Sequence, residues 1–226
     1  MIIALRRLFA CGAILASFTT IAAAQATAPL SGLDKQLDRM DLGIGAIGVI
    51  TKSTSGPDAL SGNVVTDTPT NTVGALINLR YIKSPLIGLE FNYTYARFVQ
   101  QYTGISDNPG STTPLNLGLQ ANMSEYTFGW VFHTPKVFGI QTFASAGAGT
   151  TAFKPSKNGG EGFQEQARAT YYYNVGVEQQ ILTPRLGFRA SFRQAFYNAP
   201  DFETNYLTNH KRTITTEPAI GVYIHF

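Results

Sequence analysis

The sequence predicts an all-β protein in which eight antiparallel strands, joined up and down, close into a transmembrane β-barrel. Three observations carry this prediction. Beyond Asp41, segments of about ten residues alternate between an apolar and a polar face. The links between segments alternate long and short. No Lys, Arg, Asp or Glu falls in the central part of any apolar row.

The chain has 226 residues, 44% hydrophobic and 14% charged, with 22 Gly, 15 Phe and 11 Tyr. Its first 26 residues read as a secretory signal. Arg6 and Arg7 form the positive region, Leu8 to Ile21 is mostly apolar, and Ala22-Ala23-Ala24 and Ala24-Gln25-Ala26 both fit a small-x-small cleavage site, placing the cut after Ala24 or Ala26. That apolar run is about 14 residues, short of the ~20 a spanning helix needs. Cys11 sits too early, ahead of the hydrophobic run, for a lipoprotein signal. Of 17 basic residues against 14 acidic, cleavage removes Arg6 and Arg7, leaving 15 against 14 and a net charge of +1. So slight an excess gives no argument for nucleic-acid binding. Residues 27–40 form a periplasmic lead-in, with Leu33, Leu37 and Met40 at helix-like spacing. The barrel is expected over 41–226.

Eight apolar rows follow in order. They are Leu42, Ile44, Ala46 and Ile50; Ala75, Ile77, Leu79 and Tyr81; Ile87, Leu89, Phe91, Tyr93 and Tyr95; and Tyr126, Phe128, Trp130 and Phe132. Then come Ile140, Ala144, Ala146 and Ala148; Tyr171, Tyr173, Val175 and Val177; Leu186, Phe188, Ala190 and Phe192; and Ile220, Val222, Ile224 and Phe226. The fifth row is ambiguous, because Ala, Ser and Gly there suit either face. Alternation alone also fits a soluble sandwich. The links decide between them. Residues 52–72, 99–119, 154–166 and 197–213 are long and polar, whereas Lys83-Ser84-Pro85, Thr134-Pro135-Lys136 and Thr183-Pro184 mark tight turns. Long loops at one rim and short turns at the other are the pattern of a transmembrane barrel. Tyr81 and Trp130 near one rim, with Tyr93, Tyr95, Tyr126 and Tyr171 near the other, give two aromatic girdles.

The final segment, Ala219 to Phe226, alternates back from a terminal Phe through Ile224, Val222 and Ile220. This resembles the C-terminal assembly signal of bacterial outer-membrane proteins, read by the barrel-assembly machinery. With these residues in hand, the chain resembles the small OmpA and OmpX type of outer-membrane barrel over Asp41 to Phe226, in architecture and terminal signature. The resemblance implies a bacterial outer-membrane location, with lipid and lipopolysaccharide as surroundings. No peptidoglycan-binding domain is expected after the eighth strand.

The polar faces hold charges that pair by position. Arg80 and Glu90 are equidistant from Pro85, and Glu178 and Arg189 from the Thr183-Pro184 turn, so each pair faces across a hairpin. Arg193, Glu217 and Glu125 lie at similar depth. The expected role is a buried ion-pair network filling a narrow lumen. A gated ion path is the alternative use of the same groups.

Gly43-Ile44-Gly45-Ala46-Ile47-Gly48 matches a dinucleotide fingerprint, but it lies inside a strand that continues to Thr51. Its glycines are expected to leave interior room for large partners. His133, His210 and His225 are too scattered for a metal site, and none forms a His-x-Ser pair. His210, Lys211 and Arg212 make a basic loop segment; contact with lipopolysaccharide phosphates is one use of it, but such a loop is more often simply solvated. The expectation is therefore a structural or surface-interaction barrel with no catalytic residues and no cofactor or metal, its loop ligand unnamed. A small low-conductance pore and a lipid A-modifying hydrolase are the alternatives.

Overall fold

The computed structural model describes residues 32–105, 115–181 and 183–226. The expected signal, residues 1–26, lies outside them. One helical stretch of the lead-in is described, α1 (Gly32–Leu37). The strands are β1 (Met40–Thr51), β2 (Thr54–Pro57), β3 (Val64–Pro69), β4 (Thr72–Ser84) and β5 (Ile87–Ile105). They continue as β6 (Leu115–His133), β7 (Ile140–Pro155), β8 (Gln166–Gln180), β9 (Leu186–Asn198) and β10 (Arg212–His225).

Eight of these strands close a barrel in the order β5-β4-β1-β10-β9-β8-β7-β6, and β6 pairs back onto β5. Every wall joint is antiparallel. The closing seam joins β1 to β10, with Leu42 opposite Ile224 and Ile44 opposite Val222. Phe226 donates its backbone N–H to Met40 O at 3.2 Å, just beyond the end of the seam ladder. The seam pairing skips Gly48 and Val49, opposite Pro218 and Glu217. Pro218 has no N–H to give, so the ladder breaks there.

Two stretches expected as plain loops hold further strand structure. Within residues 52–72, β2 and β3 form a hairpin. β4 covers one edge of β5 as far as Ala96, and β3 takes over that edge from Gln100 to Thr103. Likewise β5 runs on to Ile105, and β6 starts at Leu115. Polar outward residues such as Gln101 and Asn116 make residues 99–119 read as loop. Their polarity reflects a change of solvent around strands that continue.

The facing is inverted relative to a soluble barrel. Ile44, Phe128, Trp130 and Ile220 are 54–59% exposed on the outer face, while Glu90, Glu125 and Glu217 are fully enclosed. The fifth wall strand takes the same sense, with Ala144, Ala146 and Ala148 outward and Phe143 and Ser145 inward. This is the distribution hydrocarbon imposes, since it cannot hydrate an edge or a charge.

Partway along β5 and β6 the pattern changes over. On β5 the outward row runs Leu89, Phe91, Tyr93, Tyr95, then Arg97. The inward row runs Glu90, Asn92, Thr94, then Ala96, Phe98 and Tyr102. On β6 the inward row runs Thr127, Glu125, then Met123, Ala121 and Leu119. The two changes coincide in register, with Tyr95 opposite Ser124 and Ala96 opposite Met123. Below this level the inside is polar and the outside apolar. Above it the inside is apolar and the outside wet.

A charge placed on the outer face at mid-depth tests this assignment. Phe128→Arg should lower the stability of the folded barrel in vesicles by about 2–4 kcal/mol, and Val175→Lys similarly. Urea titration followed by the gel shift between folded and boiled protein measures it. Arg at Gln101, on the outward row above the change of level, should cost less than about 1 kcal/mol.

Candidate functional site

The enclosed lumen collects the charges of seven wall strands. Arg80 on β4 donates through Nε to Glu90 Oε2 on β5 at 2.9 Å. Its Nη1 also reaches Glu178 Oε2 on β8 at 3.2 Å, across the lumen. Arg189 on β9 donates Nε to the same Glu178 oxygen at 3.0 Å. It also donates Nη1 to Asn78 Oδ1 at 2.6 Å. Glu178 thus joins two guanidiniums, and Asp41 on β1 adds a third carboxylate, 3.6 Å from Arg189. The remaining Glu90 oxygen accepts from Ser145 Oγ at 2.6 Å, Tyr172 Oη at 2.9 Å and Asn92 Nδ2 at 3.1 Å.

Aromatic faces finish the cage. The Arg80 guanidinium lies 4.0 Å over the Phe143 ring, and Arg189 lies 4.6 Å from the Tyr223 ring. Two glycines make room for these rings. A Cβ at Gly187 would sit 2.2 Å from the Tyr223 ring, and one at Gly176 would sit 2.6 Å from Phe143.

A second cluster lies nearer the middle of the barrel. Arg193 on β9 bridges Glu125 on β6 and Glu217 on β10. Its Nη2 also donates to Thr127 Oγ1 at 3.2 Å, and its guanidinium lies 4.5 Å over Tyr172. All three ionic side chains are at most 2% exposed. One guanidinium between two carboxylates leaves the cluster formally one charge negative.

Above these clusters comes a layer that the sequence reading missed. Ile47, Val49, Phe98, Met123, Phe153 and Tyr197 fill the lumen from five wall strands. Val65 from β3, with Phe202 and Leu207 from the β9–β10 loop, joins them from above. Ties between hairpin and loop hold this cover down. Ala59 N–H donates to Asn205 O at 3.2 Å, and Asn209 Nδ2 donates to Thr54 Oγ1 at 3.0 Å. Tyr102 Oη donates to Pro200 O at 2.7 Å. The available signal was the run of inward apolar residues at Ala96 and Phe98 on β5 and Leu119, Ala121 and Met123 on β6.

Asp67 is one of several buried polar groups in this layer, with Gln100 and Gln166. It points inward from β3 opposite Tyr102, 2% exposed, with Oδ1 lacking a hydrogen-bond partner. Burial pushes its carboxyl up to about 8. Nearby, Asp201 pairs with Arg168 at 2.9 Å and accepts from Gln166 Nε2 at 2.6 Å. Burial raises the Asp201 carboxyl, but Gln166, Arg168 and Thr208 together hold it below the usual range.

At the opposite rim a vestibule of about 460 Å³ opens beneath the lower charge cluster, lined among others by Arg39, Lys83, Lys136, Tyr223 and His225. His225 Nδ1 lies 2.6 Å from Asp41 Oδ1, and His133 Nε2 lies 3.5 Å from Glu178 Oε1. His210 is exposed at φ 51°, beside exposed Lys211 and Arg212. Among the described residues no group of three or more His, Cys, Asp and Glu is placed to hold a metal ion.

The expected girdle residues all lie on the outer face. Tyr171 is the most exposed at 64%, and the Tyr93 and Tyr126 rings sit 5.0 Å apart. Tyr95 and Trp130 are exposed, and Tyr81 is partly so, with its hydroxyl 3.5 Å from Arg39 Nη1. Ile220, Val222, Ile224 and Phe226 form the exposed outward row of the last strand.

Two solved structures share this architecture. Neisserial surface protein A is 14% identical, with a TM-score of 0.52, over 82% of this chain and 97% of that one. The outer membrane protein OprG from Pseudomonas aeruginosa is 15% identical, with a TM-score of 0.55, over 83% of this chain and 95% of that one. The chain therefore has the fold of the small outer-membrane barrels. No protein-family model matches the sequence, and no curated protein matches it.

Two consequences can be measured. Arg193→Met leaves Glu125 and Glu217 facing each other in an enclosed space, and should destabilise the barrel by about 3–5 kcal/mol in urea titration. Glu217→Gln leaves one carboxylate on one guanidinium and should cost about 1–2 kcal/mol. Asp67 sets a pH dependence. With a docked value of about 8 against 3.8 when solvated, the docked hairpin holds an extra proton between those limits. Docking should therefore weaken as pH rises from about 4 to 8 and level off above. Amide protection factors across Thr66 and Thr103 should fall from pH 5 to 8.5. In Asp67→Asn they should stay flat, and exceed those of the parent at pH 8.5.

Proposed function

We propose that this is a bacterial outer-membrane barrel with a structural or surface-interaction role, closed to solutes and without catalytic residues of its own. One observation carries the reading. The lumen is occupied in three successive layers by the Arg80–Glu178–Arg189 cluster, the Arg193 cluster and the apolar plug, and the hairpin and last loop lie across its extracellular end. The shared fold and the inverted facing support the outer-membrane location. Recognition then falls to the loops at the extracellular rim.

Catalysis finds little support in the surroundings of the histidines. The partners of His133 are Arg80 and Glu178, and that of His225 is Asp41. None of these is a hydroxyl that an imidazole would activate.

The vestibule favours a second reading, a small pore gated by exchange of partners at Glu178. Planar-bilayer recording separates the two. A closed barrel gives no discrete current steps at any applied voltage. Steps that disappear in Glu178→Gln would establish the pore and overturn the closed reading.

A further inference from the structure

We propose that Arg97, Asn122 and Lys154 form a binding site on the outer wall for a phosphate of an anionic glycolipid headgroup in the extracellular leaflet. This rests on the membrane reading above and assigns it a specific lipid contact.

The three residues occupy one register row. Arg97 on β5 lies opposite Asn122 on β6, and Asn122 lies opposite Lys154 on β7. All three belong to the outward rows of their strands, and Arg97 and Lys154 are exposed. Two inter-strand spacings separate the cations, roughly 9–10 Å between backbones. Their long side chains can converge on one tetrahedral anion over Asn122 or take two phosphates side by side.

The height of the row is the second argument. It lies directly above the outward Tyr93, Tyr95 and Tyr126, at the level where the wall changes from apolar to wet. Aromatic rings at such a boundary sit among headgroups, so the next residues up meet the headgroups' charged atoms.

Local hydrogen bonds leave donors pointing outward. Tyr95 Oη donates to Asn122 Oδ1 at 3.2 Å, occupying the amide's acceptor and leaving its NH2 available. Gln120 Oε1 accepts from Arg97 Nη2 at 2.8 Å and from Ser156 Oγ at 3.0 Å, which steadies the guanidinium through one of its five donors. One carboxylate competes: Lys154 Nζ lies 3.5 Å from Glu165, but these side chains are 69% and 56% exposed. A pair so open to water is weak, and a phosphate held also by Arg97 displaces it. Guanidinium and ammonium together suit phosphate, the first by its fork and the second as a point charge.

The test uses protein purified in detergent from membranes, its folding checked by the shift on boiling. Native mass spectrometry follows binding of diphosphoryl lipid A, of the same lipid stripped of phosphate, and of phosphatidylcholine. The site should take the diphosphoryl lipid in preference to both others. Near a charged surface each basic residue is worth a factor of about five. Lys154→Gln should therefore weaken binding about fivefold and Arg97→Gln with Lys154→Gln about thirtyfold, while Arg185→Gln, exposed in the β8–β9 turn at the opposite rim, leaves it unchanged. Exchanging the cations, Arg97→Lys with Lys154→Arg, should keep most of the affinity. The proposal is overturned if the double Gln variant binds like the parent, or if the stripped lipid binds equally well. It is overturned too if millimolar inorganic phosphate displaces the lipid completely, since the site then takes free phosphate. None of these outcomes bears on conduction or on the folded barrel, so the closed outer-membrane reading stands or falls separately.

Discussion

Hydrocarbon offers no hydrogen bonds, and the rest of this structure follows from that. A sheet with a free edge cannot exist in it, so the chain's first and last wall strands must meet. In doing so they enclose every polar row. The charges that cannot face lipid are then forced on one another in a space too narrow for bulk water. Arg80 and Arg189 share Glu178 for this reason, and Arg193 sits between two carboxylates. An isolated ion in such a place would cost several kcal/mol, so the pairs are conditions of closure as much as sources of stability.

The packing around the pairs serves the same end. Phe143, Tyr172 and Tyr223 lay ring faces against the guanidiniums. These contacts take up cationic surface that carboxylates do not cover. The rings fit because glycines stand beside them, at Gly176 next to Phe143, Gly129 next to the Tyr172 hydroxyl and Gly187 next to Tyr223. The Gly-x-Gly stretch of β1 lines the same wall, where Gly43 lies close under Arg189. Its spacing is therefore a packing feature of the barrel wall.

Much of this was legible in the sequence because a strand has a period of two and a tight hairpin fixes its own register. The hairpin pairs Arg80–Glu90 and Glu178–Arg189 could be read by counting from a turn. Contacts across the lumen could not, because they depend on how far the sheet shears as it closes. Arg80 with Glu178 joins strands that are not neighbours and could not be read, whereas Arg193 and Glu125, also on non-neighbouring strands, could be placed only at a similar depth. The hairpin of β2 and β3 was hidden by composition. Its Thr, Ser, Asp and Pro residues read as loop, and Val65 alone betrays the buried side. The fifth wall strand was ambiguous because alanine carries no preference, and only its neighbours Phe143 and Phe153 fix the side that faces inward.

The reversal of facing between Tyr95 and Ala96 means that one continuous strand obeys two opposite substitution grammars. Lower down, Phe91 belongs outside and Glu90 within. Seven residues along from Phe91, Phe98 belongs within and Arg97 outside. A scale of residue preference averaged over the whole strand would cancel to nothing, which is why the chain's mean composition looks so ordinary. Its upper storey is built like a water-soluble protein, with a greasy interior of its own. The loops there are thus free to diversify at their tips while the storey beneath them stays shut.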